Sequence, residues 1–291
     1  MPKRHHSKLR CELRHLTDWR QLCLFAIIAI AACNPSSHAA DCVVNSSKHR
    51  VALLELYTSQ GCNSCPPADR WLNGLQDRGT GVTQVVPLAF HVDYWDYIGW
   101  KDHFARPEFS QRQRLVAARN QASFIYTPQF VLDGRDLRRP WLADTLAERL
   151  RDINAKHADV SITLAQTRQD NIVRVSVRAR NTDAQNAHLF VALFQNRLHS
   201  DIKAGENAGK QFYHEFVVRE LEGPLPLAPG ASLEHEVQFD LGAYGNASAF
   251  GFAVFAENGD SGAIMQAMAE PLCNTLSGST SANAAGASPQ K

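Results

Sequence analysis

Apolar positions repeat with two different periods along this chain, and the change falls near residue 158. Ahead of it lie nearly unbroken apolar runs. Val51 to Tyr57 is one, interrupted by Glu55; Val82 to Val92 is a second, and Phe124 to Leu132 a third. Short runs of this kind, bounded by turn residues, predict buried strands. Stretches of helical spacing separate them. Ala68 to Leu75 sets Trp71, Leu72 and Leu75 on one face, and Gly79-Thr-Gly81 breaks it. Pro107 to Gln121 carries proline in its first turn, and Trp141 to His157 has an apolar stripe of Leu142, Leu146, Leu150 and Ile153. Beyond Ala158 the period drops to two. Val160 to Leu164 and Ile172 to Ala179 alternate apolar with polar, and Leu189 to Phe194, Leu233 to Phe239 and Phe250 to Phe255 complete a set of short strands. That predicts an antiparallel, sandwich-like sheet. The expected organisation is an α/β domain over 48–158, with a helical insertion at about 95–121, then an all-β sandwich-like domain over 159–273. Residues 274–291, mostly Ser, Ala, Gly, Asn and Thr, are expected to form a disordered tail.

The first forty residues have a different character. Six basic groups and two acids lie within residues 1–21, followed by the apolar run Leu22 to Ala32. Eleven residues are too few to span a bilayer, which takes about 20. Small residues at Ser37 and Ala39 then suit a signal peptidase, so 1–40 is expected to be a secretory signal. Ile30-Ala-Ala-Cys33 also resembles the bacterial lipobox, which makes a lipid anchor at Cys33 the alternative to cleavage after Ala39. Either reading places the mature chain in the periplasm or outside the cell, where disulfides persist. Without the leader, residues 41–291 carry 24 basic and 27 acidic groups, a net charge of −3. A chain with no basic surplus does not read as a nucleic-acid binder. Hydrophobic residues at 44% and charged residues at 20% exclude a disordered or fibrous protein.

Cysteine usage brings in chemistry. Four of the seven cysteines lie beyond the leader: Cys42, Cys62, Cys65 and Cys273. Cys42 and Cys273 stand at opposite ends of the folded chain, and chain ends often meet, so they are expected to form a structural disulfide. Cys62 and Cys65 form C-x-x-C between a strand and a helix. A cysteine at a helix start feels the positive end of the dipole, which favours the nucleophilic thiolate. Three-residue spacing lets the second sulfur close on the first. The pair is therefore expected to be redox-active, with Cys62 attacking and Cys65 resolving; a permanent disulfide or half of a metal site are the alternatives. His91 and Asp93 close the second strand, on the sheet edge where the Cys strand also ends.

Three stretches resemble a bacterial family of exported thioredoxin-like proteins catalogued as a domain of unknown function. They are Leu56-Tyr-Thr-Ser-Gln-Gly-Cys62-Asn-Ser-Cys65-Pro-Pro-Ala-Asp69, His91-Val-Asp-Tyr-Trp-Asp-Tyr-Ile-Gly-Trp-Lys-Asp102 and Tyr126-Thr-Pro-Gln129. Ile202 to Gly209 and Val217 to Glu220 look like signatures of its second half. The resemblance spans roughly 50–270. It implies a thioredoxin-like fold for the first domain and export, but no substrate. By resemblance to thioredoxins, Cys62 matches an exposed nucleophile, Cys65 the resolving thiol and Pro128 the cis-proline. Thr127 beside it would line a partner's backbone. Glu55 resembles the buried acid that moves the resolving proton, although it stands one residue upstream of that position. Asn63-Ser64 has neither Gly-Pro nor a cationic His, which leaves the direction of electron flow open.

The expected function is a thiol–disulfide oxidoreductase acting on protein or small-molecule disulfides, with no cofactor beyond the Cys62–Cys65 disulfide and a thiol-bearing protein as partner. Cys62, Cys65 and His91 also resemble the ligands of copper-handling relatives, so a metallochaperone is the second reading. A binding module with an inert disulfide is the third. His91, Asp93 and Trp95 are candidate substrate contacts, and Trp95, Tyr97 and Trp100 are expected to floor the inserted segment. Gly205-Glu-Asn-Ala-Gly209 would either offer backbone donors to a ligand or form a tight turn.

Overall fold

The structure is a computed structural model that describes residues 42–140, 143–245 and 249–273. The expected leader, with Cys33 and Ala39, and the expected tail lie outside the described residues. The first half contains β1 (Cys42–Asn45), β2 (Ala52–Thr58), α1 (Pro66–Asn73), β3 (Val85–His91), α2 (Pro107–Arg119), β4 (Gln129–Leu132), β5 (Arg135–Asp136) and α3 (Ala143–Asn154). The second half is built from β6 (Val160–Gln169), β7 (Ile172–Asn181), β8 (Ala187–Gln195), β9 (Leu198–Asp201), β10 (Gln211–His214), β11 (Val217–Leu227), β12 (Ser232–Asp240), β13 (Phe250–Asn258) and β14 (Ile264–Pro271).

The expected fold class, a thioredoxin-like α/β domain followed by a separate sandwich, does not form. The chain is mostly β, and its largest sheet draws strands from both halves in the order β14-β13-β8-β11-β3-β2-β4-β5. The junction is at β3. Val217 of β11 pairs in parallel with Ala89, whose N–H donates to Phe216 O at 2.8 Å. An isolated first domain would leave β3 as an open edge, exposing unpaired backbone groups. Strand β11 removes that edge by continuing the sheet into β8, β13 and β14.

A second sheet, β1-β6-β7-β12, is antiparallel and packs on one face of the large sheet. Val160, Ile162, Leu164, Val173, Val175 and Val177 meet Leu189, Val191, Phe252 and Val254 there. On the other face Phe190, Phe194, Ala253 and Phe255 join the core of the first half. Strands β8 and β13 are thus buried on both faces, which is why they read as continuous apolar runs while β6 and β7 alternate.

The Cys42–Cys273 disulfide is formed, with Cα atoms 6.5 Å apart. It joins the start of β1 to the segment after β14. Gln166 steadies the junction, accepting from Cys273 N–H at 3.0 Å and donating to Pro271 O at 3.0 Å.

Candidate functional site

Strands β2 and β3 are parallel, with Thr58 opposite His91, so their carboxyl ends open on one edge. Past β2 the chain turns through Ser59 to Cys62: the Cys62 N–H donates to Ser59 O at 3.2 Å, and the Gly61 N–H to Ser59 Oγ at 3.1 Å. Helix α1 begins with Pro66 and Pro67, whose missing N–H groups a first helical turn does not need. Cys65 caps it, accepting from the N–H groups of Ala68 and Asp69 at 2.9 and 3.1 Å. The Cys62–Cys65 disulfide is closed, with Cα atoms 5.4 Å apart. Only Asn63 and Ser64 of the motif face solvent; both cysteines are 0% exposed. The exposed nucleophile implied by resemblance is therefore covered.

Against the turn before Cys62 lies a buried charged cluster. His91 Nδ1 and Asp102 Oδ2 are 2.6 Å apart. Asp102 also accepts from the N–H of Gln60 at 2.8 Å and of Phe104 at 2.9 Å. Burial opposes its carboxylate, yet His91 and these donors hold its pKa below the usual range. Burial likewise opposes the His91 cation, but the charges of Asp102 and Asp69 raise its pKa above the ordinary value. Its Nε2 is buried with no hydrogen-bond partner among the described residues. Asp69 sits one turn after Cys65 on α1, and both are buried. Spacing of four places them on one helix face. Burial pushes the Asp69 pKa up to about 6, against the opposing pull of His91.

His214 packs edge-on to His91, with ring centroids 5.0 Å apart. Its Nε2 lies 3.2 Å from Gln60 Nε2. Trp100 Nε1, which can only donate, fixes the Gln60 amide by bonding Oε1 at 3.0 Å. Gln60 Nε2 is thus the donor, and His214 Nε2 accepts as a neutral ring. Burial and then the charge of His91 bring the His214 pKa down to about 3.

The other expected site residues divide. Trp95 bridges two of them: its Nε1 donates to Thr127 Oγ1 at 2.7 Å, while its Cβ and carbonyl stand against Gly61, next to Cys62. The Thr127–Pro128 peptide bond is cis. Beside Pro128 opens a groove of about 460 Å³, walled by Phe124, Tyr126, Phe130 and Leu137. Asp93 holds Ser110 of α2 through its carboxylate and N–H.

Glu55 is not brought to the cysteines either. Successive strand residues alternate faces, so Glu55 and Thr58 point to opposite sides of β2. Glu55 accepts from Arg112 Nε at 2.7 Å and Tyr57 OH at 3.1 Å, and Arg112 continues to Glu257 at 3.2 Å. The expected acid is one end of a buried ion network. Cys62 and Cys65, two of the ligands of the copper alternative, are joined as a disulfide, and among the described residues no three His, Cys, Asp or Glu side chains group as metal ligands. Tyr97 is largely exposed, while Trp100 holds Gln60.

The family described as "Protein of unknown function (DUF1223)" matches residues 53–256. The chain belongs to that family. A crystal structure of an Agrobacterium tumefaciens protein is 26% identical, covering 77% of this chain and 95% of its own, with a TM-score of 0.57. A Kluyveromyces marxianus beta-glucosidase and a Niemann-Pick type C2 protein from Japanese carpenter ant match at 14% and 15% identity, with TM-scores of 0.23 and 0.22. The first match covers 43% of this chain and 16% of the glucosidase; the second covers 34% and 71%. No curated protein matches the chain significantly.

The structure adds Gln60, Asp69, Asp102, Asn207 and His214 to the site. Asp69 had a signal in the sequence, its spacing of four from Cys65. Asn207 lies within the Gly205–Gly209 segment and donates to the Gln60 and Cys62 carbonyls, main-chain partners that no side-chain pattern reveals.

Proposed function

We propose that the protein is a thiol–disulfide oxidoreductase that cycles Cys62 and Cys65 between disulfide and dithiol, exchanging electrons with a thiol- or disulfide-bearing partner. The observation that carries this reading is Cys65 at the start of α1 with the buried Asp69 carboxyl one turn below it. In the reducing direction the Cys62 thiolate attacks a partner disulfide, forming a mixed disulfide and releasing one partner thiolate. Cys65 gives its proton to Asp69, whose pKa of about 6 leaves it ionised near neutrality, and attacks the Cys62 sulfur. The second partner sulfur leaves as thiolate and takes up a proton. The partner disulfide has gained two electrons, and Cys62–Cys65 has lost them. The leader-like segment supports export, to the periplasm or beyond.

Insulin reduction driven by dithiothreitol and oxidation of a dithiol peptide test this reading. Wild type is expected to catalyse at least one, and Cys62→Ala neither; inertness of wild type in both would overturn it. The complete burial of both cysteines favours a second reading, a binding module with a permanently closed C-x-x-C. A reduction potential below about −300 mV, the range of structural disulfides, would select that reading.

A further inference from the structure

The turn that carries Cys62 is held by side chains from far along the chain. Strands β9 and β10 form a hairpin, and the segment between them, residues 202–210, lies on the turn that carries Cys62. Asn207 is wholly buried, and its Nδ2 donates to Gln60 O at 2.8 Å and Cys62 O at 3.0 Å. Its Oδ1 accepts from Lys210 Nζ at 2.8 Å. Gly205, at φ +72°, rests so closely on the 98–100 segment that a Cβ would come within 3.2 Å of Ile98 O and Trp100 Cβ. Gln60 adds bonds to Ser200 of β9 and His214 of β10. On the other flank, Asn73 at the end of α1 donates to Tyr213 O at 2.7 Å.

This attachment is polar and thin. Of residues 202–210 only Ile202 and Asn207 are buried. Segments held by few apolar contacts open at lower free energy than the core they cover. Disulfide exchange needs a thiolate to reach sulfur, so a fully covered Cys62–Cys65 bond reacts only when its cover moves.

We infer that residues 202–210 are a closure over the Cys62–Cys65 disulfide, latched by Asn207, whose release admits the partner sulfur. Its purpose rests on the oxidoreductase reading; its geometry does not. A site closed this way discriminates among partners by whether they can displace the latch, and the exposed Tyr213 and Lys203 lie on the hairpin a partner would meet first.

The experiment is the rate at which dithiothreitol reduces Cys62–Cys65 in the full chain, with N-ethylmaleimide quenching and quantification of the Cys62 peptide. Each event oxidises one dithiothreitol to its cyclic disulfide and yields two protein thiols. Asn207→Ala, and Asn207→Asp, which faces the two carbonyls with a carboxylate, are expected to accelerate reduction at least fivefold. A smaller change in both folded variants would overturn the latch. Hydrogen exchange on wild type keeps the proposal testable if neither variant folds. The 202–210 amides are expected to exchange at least tenfold faster than those of β8 and β13, and exchange only together with those core strands would overturn the closure. If Asn207→Ala opens the site yet no partner is turned over, the oxidoreductase reading fails and the closure stands. If the latch fails, the insulin and thiol-peptide assays still judge the chemistry.

Discussion

His91 and Asp102 share a 2.6 Å hydrogen bond in which neither side chain reaches solvent. The same carboxylate receives the N–H groups of Gln60 and Phe104, so it ties the end of β3 to the turn before Cys62. Removing one partner of a buried pair leaves the other uncompensated, typically a loss of about 3–5 kcal/mol. Asp102→Asn is expected to lose stability on that scale in urea denaturation. A loss under about 1 kcal/mol would show that the pair is not what holds this turn.

Asp69 should behave in the opposite sense. Its folded pKa of about 6 lies above the ordinary 3.8, so the folded protein binds more protons than the unfolded chain between those values. Stability then falls as pH rises through that window and stays lower above it. Two pKa units correspond to about 3 kcal/mol. Asp69→Asn is expected to be roughly 1–3 kcal/mol more stable than wild type at pH 7.5, with no gain near pH 4, while turning over disulfides more slowly. Equal stability at both pH values would remove Asp69 from the account.

His214 gives the acid limb. Its folded pKa of about 3 lies below the ordinary 6.5, so protons bind preferentially to the unfolded chain between those values. Its contribution is complete above about pH 6.5 and is lost as pH falls toward 3. Between pH 7 and pH 4.5 this amounts to about 3 kcal/mol. From pH 7 to pH 4.5, His214→Gln should therefore gain about 3 kcal/mol of stability relative to wild type in urea denaturation. Parallel curves across the whole range would mean that the ring is not held neutral.

Much of this arrangement was legible from local pattern. The strand before Cys62, the helix after it and the alternating strands of the second half follow from apolar spacing within short windows. The fused sheet did not, because the pairing of Val217 with Ala89 joins residues far apart in sequence and leaves no local periodicity. Glu55 was misleading for a related reason. Its expected role came from resemblance to the buried acid of thioredoxins, whereas its partner here is Arg112, 57 positions downstream. The attachment of the Cys62 turn was equally hidden, since Asn207, which donates to the Cys62 carbonyl, comes from a polar turn in the other half of the chain.

Glu55→Gln separates structure from chemistry at that position. The substitution keeps an acceptor for Arg112 but removes the charge that balances it, and should lower stability by about 2–4 kcal/mol. Glu55 points away from α1, so the pH dependence of Cys62 alkylation in the reduced protein is expected to match wild type. A displaced profile would restore Glu55 to the thiol chemistry.

The two disulfides are separable by what their loss does. Cys42–Cys273 spans 231 positions, and the chain-entropy argument assigns a crosslink of that length about 5 kcal/mol. Measured values for native crosslinks run lower, about 2–5 kcal/mol. Cys62–Cys65 encloses only two residues and constrains the unfolded chain far less. Replacing Cys42 and Cys273 together by Ser should therefore lower the urea midpoint strongly while leaving the rate of insulin reduction per folded molecule within about twofold of wild type. Replacing Cys62 and Cys65 by Ser should do the reverse, abolishing turnover with a much smaller change in midpoint. If the terminal pair proves dispensable for stability, the sheet carries the chain ends unaided, through Gln166 and the β1–β6 ladder.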